Sequence, residues 1–204
     1  MSLLVGLTGN MGSGKTMAAG LMKGLGAHIL DADAVCRDLM RPGQPAWKAI
    51  VEHFGENILL EDQTLDRPKL ASIVFKDFKQ KEILEGILHP RVFQVEQEEY
   101  ENLKKSNSDI LMVVDAALLI ESGNHKKMDK VVVITCNDAV RIQRLLQRGL
   151  FTKSEIERRL QSQMSQEQKV RFADFVLKND GSKEELKSQV KAVFKKLQLL
   201  ARTG

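Results

Sequence analysis

The chain has 204 residues, 43% of them hydrophobic and 28% charged, with a formal net charge of +4. That length suffices for one core with attachments, the balance excludes a disordered or fibrous chain, and no apolar stretch approaches the roughly 20 residues of a membrane span. A charge this small does not argue for nucleic acid by itself, and the two cysteines, Cys36 and Cys136, show neither metal-ligand spacing nor a disulfide framework, which suits a reducing, cytoplasmic setting.

The apolar run Leu3–Thr8 has no basic segment ahead of it, so it is predicted as the first strand rather than a targeting signal. It leads into Gly9-Asn10-Met11-Gly12-Ser13-Gly14-Lys15-Thr16, which spells G-x-x-x-x-G-K-[ST], and a helix-compatible stretch follows to Leu25. Glycines there let backbone N–H groups turn inward around an anion at the positive end of the following helix. In such a loop Lys15 reaches the β- and γ-phosphates of a nucleotide, and the Thr16 hydroxyl is placed to ligate Mg²⁺.

A second strand is predicted over His28–Asp31, ending in Asp31-Ala32-Asp33. An acid at that strand end can orient an acceptor hydroxyl, or take its proton, for in-line attack on a γ-phosphate. The plainer reading is a turn with an Asp N-cap for a helix Ala34–Met40. Both hold together if Asp31 is structural and Asp33 functional. Between Asp33 and Asn107 there is no good strand, only helical patterns over Pro45–Phe54, Lys79–Leu88 and Arg91–Lys105, more chain than a crossover needs. A helical subdomain over residues 34–107 is the expectation. Of the four histidines, His89 stands out because Pro90 and Arg91 follow it.

Further strands are predicted over Ile110–Asp115, Lys130–Thr135 and Asp174–Lys178, nearly continuous in Val, Ile and Leu as in a parallel sheet buried on both faces. Asp115 closes the third strand, either beside a nucleotide's Mg²⁺ or as a plain strand-end acid. Glu121 faces substrate or ends a helix, and the residues around it leave that open. From Arg141 to Arg171 six arginines and two lysines face three glutamates. Arginine suits phosphate, but exposed aromatics for stacking bases are scarce here, which favours a small nucleotide over RNA. This insert, residues 144–168, reads as two helices joined around Gly149, with capping-box patterns at Thr152-x-x-Glu155 and Ser165-x-x-Gln168, and a third at Ser182-x-x-Glu185. The nucleotide-binding core is then 1–33, 108–143 and 169–204: an α/β fold with a five-stranded parallel sheet, a helical insert and a helical lid. No zinc cluster and no G-x-S-x-G elbow occurs. Asn137-Asp138-Ala139-Val140 lacks the Asn-Lys-x-Asp that a guanine site needs, which sets a GTPase aside. A nucleoside or other small-metabolite kinase and an ATP-binding module are the rival readings.

In order along the chain come Leu7-Thr8-Gly9, Gly12-Ser13-Gly14-Lys15, Asp31-Ala32-Asp33 with Arg37, Pro42-Gly43, Leu88-His89-Pro90, Leu118-Leu119-x-Glu121, Gln147-Arg148, and Ala173-Asp174 with Asn179 and Gly181. The ordered set resembles the dephospho-coenzyme A kinases, P-loop kinases that phosphorylate the ribose 3′-hydroxyl of dephospho-coenzyme A, and the resemblance runs from Leu3 to Leu200. It implies ATP on Asn10, Met11 and Gly12 to Met17, with Mg²⁺ at Thr16 and Asp115. It implies adenine near Asn179, Arg148 from a mobile lid, and Asp33, Lys15 and Arg148 as the catalytic groups. The acceptor would meet Thr8, Asp33, Arg37, His89, Leu118 and Glu121. A monomer or weak oligomer acting on small molecules, with no nucleic acid or membrane partner, is the corresponding expectation. Two positions depart from the family pattern: Ala117 stands where Pro precedes the Leu-Leu pair, and Gly149 where Asp commonly follows Gln-Arg.

Overall fold

A computed structural model describes residues 2–106, 109–147, 149 and 152–203. The chain divides into two compact units, Met1–Asp31 with Tyr100–Gly204, and Ala32–Glu99.

The first unit is built on five parallel strands, β1 (Leu3–Thr8), β2 (His28–Asp31), β3 (Leu111–Asp115), β4 (Lys130–Thr135) and β5 (Phe175–Lys178), in the order β2-β3-β1-β4-β5. β1 is central, in register Leu3↔Leu111 to Leu7↔Asp115 with β3 and Val5↔Lys130 to Thr8↔Val133 with β4. Because its neighbours lie on opposite sides and come later in the chain, the carboxyl end of β1 is a switch point, where open α/β sheets bind ligands. Buried Val5, Leu7, Leu111, Val113, Val132, Ile134 and Leu177 are the sheet's share of this core cluster. Against them pack Ala18 and Met22 of helix α1 (Lys15–Gly24) and four apolar residues from Leu186 to Leu197.

The second unit is helical: α2 (Ala32–Leu39), α3 (Pro45–Phe54), α4 (Arg67–Lys76) and much of α5 (Phe78–Ser106), around Ala46, Ile50, Ile58, Leu65, Leu70 and Leu88. Two differences from the sequence reading appear here. α2 starts at Ala32, directly after β2, so Asp33 lies in its first turn and is not the N-cap of a helix begun at Ala34. The predicted helices over 79–88 and 91–105 are one helix with Pro90 inside. Proline there removes the bond to the carbonyl four residues back and crowds it. The neighbouring Ile87 carbonyl takes the Arg91 guanidinium at 2.6 Å, a tie that supports the helix through the proline.

The remaining helices belong to the first unit: α6 (Asp138–Gln147), α7 (Lys153–Gln161), α8 (Gln166–Val170) and α9 (Lys183–Thr203), the last supplying Leu186 to Leu197. Both capping boxes of the arginine-rich insert form, Thr152 with Glu155 and Ser165 with Gln168. β3 begins one residue later than predicted, at Leu111; β5 also begins one residue later, and there the Asp174 carboxylate turns back to accept the Val131 N–H at 2.8 Å. Among the described residues no helix is long and apolar enough to cross a membrane.

Candidate active site

β1 delivers the chain to Gly9 at the switch point, and α1 begins at Lys15. Gly14 sits between them as the N-cap in the left-handed region, φ 99°, and no side chain caps the helix. The first N–H groups of a helix have no intrahelical acceptor, so the turn presents donors and the positive end of the helix dipole to an anion. Gly14 is required twice over: its φ is costly for a side chain, and a Cβ there would collide with the Asn179 amide. That amide donates to the Ser13 carbonyl at 2.7 Å, bracing the loop from the end of β5.

The Lys15 ammonium is ion-paired with the Asp115 carboxylate, their side chains 16% and 10% exposed. The pair joins the end of the loop to the end of β3. Thr16, the second residue of α1, is exposed. Among the described residues no group of three or more His, Cys, Asp or Glu could hold a metal. A hydroxyl and one carboxylate are nonetheless a hard-oxygen set of the kind that shares Mg²⁺ with substrate phosphates and water.

Asn179 is buried, and its carbonyl accepts Nη1 of Arg144 at 2.8 Å; Arg144 Nη2 reaches the Gly181 carbonyl at 3.4 Å. Arg144 thus holds the turn after β5. With Asn179, Gly12, Gly14, Met17, Gln147, Gly181 and Lys183 it walls a cavity of about 330 Å³ beside the loop. The predicted ATP residues Gly12, Gly14, Met17 and Asn179 come together there. Arg148 lies outside the described residues.

On the other flank of the loop, Asn10 Nδ2 donates to the Met164 carbonyl at 2.8 Å, and the Met11 N–H donates to Gln163 Oε1 at 3.1 Å. Glu121 accepts the Met164 N–H at 3.2 Å and pairs with Lys169 at 2.9 Å. Lys169, with 0% exposure, donates also to the Ala117 carbonyl at 2.8 Å, and the Thr8 hydroxyl donates to that same carbonyl at 3.2 Å. Burial lowers the Lys169 pKa and the Glu121 charge opposes the shift. Leu118, by contrast, is an exposed apolar residue.

The other predicted acceptor residues lie in the second unit. Asp33 and Arg37 are exposed on α2, with Cys36 between them. Burial raises the Cys36 pKa, Asp33 adds to this, and Arg67 and Arg37 work against it, so the thiol stays protonated at neutral pH. His89 on α5 is half-buried and stacked on Phe93 with ring centroids 5.8 Å apart. Burial lowers its pKa, which keeps the imidazole neutral at pH 7.

Three residues were not singled out from sequence. Arg141 is 6% exposed and pairs with Asp138 at 2.8 Å, while its Nε and Nη1 have no partner among the described residues. Gln163 and Lys169 hold the flank of the loop. Lys169 had a readable signal. The Ser165 box makes Met164 the N′ residue and Lys169 the N4 residue, positions that face each other and are usually both apolar. A lysine there should be buried and partnered.

A parallel sheet with the phosphate loop at its switch point, and a lysine and a carboxylate converging at the ends of that loop and of β3, define a P-loop kinase. Comparison with known proteins narrows this. The family model for dephospho-CoA kinase matches residues 3–185. The chain is 41% identical over 194 residues to the dephospho-CoA kinase of Aquifex aeolicus, covering 95% of this chain and 96% of that protein. It is 38% identical over 195 residues to that of Moorella thermoacetica, with 96% and 92% covered. A solved dephospho-CoA kinase from Campylobacter jejuni is 26% identical, covers 98% of each chain and matches with a TM-score of 0.72. The chain belongs to the dephospho-CoA kinase family, whose members are phosphotransferases with an alcohol group as acceptor.

Proposed function

We propose that the chain transfers the γ-phosphoryl group of ATP to the ribose 3′-hydroxyl of dephospho-coenzyme A, giving coenzyme A and ADP. The observation that carries this is the uncapped N-terminus of α1 behind a left-handed Gly14, with Lys15 and Asp115 converging on it, in a chain of this family. Phosphoryl transfer asks little covalent chemistry of a protein; it asks for position and positive charge.

Within the loop Asn10 to Met17 the Met11 N–H is held by Gln163. The backbone N–H groups of Gly12 and of Gly14 to Thr16, with the Lys15 ammonium, hold the β- and γ-phosphates, and the base enters the cavity walled by Arg144 and Asn179. Thr16 and Asp115 would hold Mg²⁺, which supplies charge neutralisation between the phosphates. Once nucleotide draws Lys15 onto its phosphates, Asp115 is released for that task. Asp33 aims the 3′-hydroxyl and can accept its proton. Arg37 and His89 contact the acceptor; the imidazole, being neutral, serves as a hydrogen-bonding group rather than a charge. Leu118 completes the acceptor side; Thr8, with 0% exposure and its hydroxyl on the Ala117 carbonyl, supports the end of β1 from behind and does not itself touch the acceptor. Arg148 covers the transferring group, and residues 144–168 act as the lid that keeps water from the γ-phosphate, its two ends anchored by Arg144 and by Gln163–Met164. Residues 34–107 form the acceptor subdomain.

The experiment is direct. Purified protein with Mg²⁺-ATP and dephospho-coenzyme A is expected to give a product one phosphoryl group heavier. Transfer to shikimate, gluconate or nucleosides, with dephospho-coenzyme A untouched, would overturn the assignment of the acceptor.

A further inference from the structure

Lys169 carries a full charge into a site with no exposed surface, which costs several kcal/mol unless it is well paired. All three of its ammonium protons have acceptors nearby: the Ala117 carbonyl at 2.8 Å and the Glu121 oxygens at 2.9 and 3.1 Å. Only the lysine is fully buried, its Glu121 partner reaching the surface, and an apolar residue at position 169 would fill the site without the cost of desolvating an ammonium. The use of the pair must therefore be sought in what it holds.

What it holds is the phosphate loop, from two directions. Glu121, fixed by Lys169, accepts the Met164 N–H at 3.2 Å, and the Met164 carbonyl accepts the Asn10 side chain at 2.8 Å. The adjoining Gln163 accepts the Met11 N–H at 3.1 Å. The Ala117 carbonyl, fixed by the same ammonium, accepts the hydroxyl of Thr8, the last residue of β1 before the loop. One buried ammonium thus sets the residue entering the loop and, through Glu121 and Met164, the two residues that open it.

We propose that Lys169 and Glu121 are positioning residues for the nucleotide phosphates: together they clamp the Gln163–Met164 segment against Asn10 and Met11, and neither contacts ligand. This rests on reading Gly9–Thr16 as the ATP phosphate loop. It gives Glu121 a task on the nucleotide side rather than at the acceptor. The turn at Ala117 is held by its carbonyl, which takes both the Lys169 ammonium and the Thr8 hydroxyl.

The test separates this from a structural pair and from an acceptor contact. K169M with E121M removes both charges and the Met164 contact while keeping apolar volume, so melting is expected within a few degrees of wild type. KM for ATP is expected to rise at least about tenfold, with KM for dephospho-coenzyme A unchanged within about twofold, because only one ligand's site has lost its support. N10A breaks the last link without touching the Lys169–Glu121 pair; because Asn10 is itself 3% exposed, a thermal melt accompanies the kinetics and N10D, which keeps the volume, is measured beside it. N10A is expected to raise KM for ATP at least about threefold. Its effect should largely vanish in the K169M/E121M background, since residues in one network are non-additive. Wild-type KM for ATP in N10A overturns the clamp even if the double variant does not fold. A stable double variant with wild-type KM for ATP, or one whose KM rises for dephospho-coenzyme A instead, overturns it equally. Absence of transfer by the wild-type protein would strike the phosphate-loop reading itself, a result distinct from active variants that match wild type.

Discussion

Around the phosphate loop, in the unit of residues 1–31 and 100–204, the polar side chains are spent on backbone groups: Asn179 on Ser13, Arg144 on Asn179 and Gly181, Asn10 on Met164, Lys169 on Ala117. In residues 32–99 the candidate groups Asp33 and Arg37 stand exposed on a helix, and His89 rests on another aromatic ring. The contrast follows from what each side must recognise. A triphosphate is gripped by main-chain N–H groups, and main chain can be aimed only by fixing it from behind, hence the buried braces. On the proposed reading the acceptor hydroxyl is aimed by side chains, whose backbone is placed by the helix that carries them.

The largest expected effect lies on the nucleotide side. Lys15→Ala removes the ammonium at the phosphates and should lower kcat/KM by at least about 10²-fold, the order seen when one preorganised electrostatic partner is lost. Steady-state kinetics at varied ATP check it, and a value within a few-fold of wild type would break the comparison at its stronger end. Gly14→Ala tests the brace. A methyl group at φ 99° against the Asn179 amide should cost about 1–3 kcal/mol of stability and weaken ATP binding at least about tenfold, because the loop must move away from its support. Calorimetric titration with ATP together with a thermal melt decides this; normal ATP affinity would show that the loop tolerates displacement.

The helical unit gives a smaller and different signal. His89 has a pKa lowered by burial, so the unfolded chain binds its proton more tightly than the folded one. Stability from this group is fully present above its unfolded value, about 6.5, and is lost as pH falls through the lower folded value. Urea unfolding near pH 7.5 and pH 5.5 should therefore show a larger acid loss for wild type than for His89→Gln. Equal losses would mean that His89 is solvated like a surface histidine.

How far the sequence disclosed each side follows the same division. Gly9–Thr16 was legible because backbone geometry admits few residue types, and Gly14 meets two such constraints at once. The strands were legible from runs of Val, Ile and Leu, and the starts of β3 and β5 missed by one residue, the latter where Asp174 turns back onto Val131. Pro90 misled because proline is a helix breaker by default, whereas a long helix tolerates it when a neighbouring carbonyl finds a side-chain donor such as Arg91. Asp33 was marked by its place at a strand end and His89 by the Pro90-Arg91 after it, both weak signals; Arg37, exposed on a helix, resembles any solvated face, and only the order of motifs along the chain singled it out. Lys169 went unread because a charge in an arginine-rich stretch is ordinarily surface. The capping register at Ser165, which turns position 169 inward, outranks composition.

The measurement that bears most directly on the division between the two sides is Asp33→Asn, followed by ATP binding and single-turnover transfer on the same preparation. Asparagine keeps the size and a carbonyl acceptor in the first turn of α2, and loses only the charge that polarises the 3′-hydroxyl and can take its proton. General-base contributions run to roughly 10²–10⁴-fold, and the loose transition state of phosphoryl transfer points to the lower part of that range. The variant is expected to melt near wild type, bind ATP normally and transfer phosphate at least about a hundredfold more slowly, with Asp31→Asn milder. Transfer at close to the wild-type rate would contradict the account, leaving Asp33 as a helix-start acid and the acceptor hydroxyl aimed by another group.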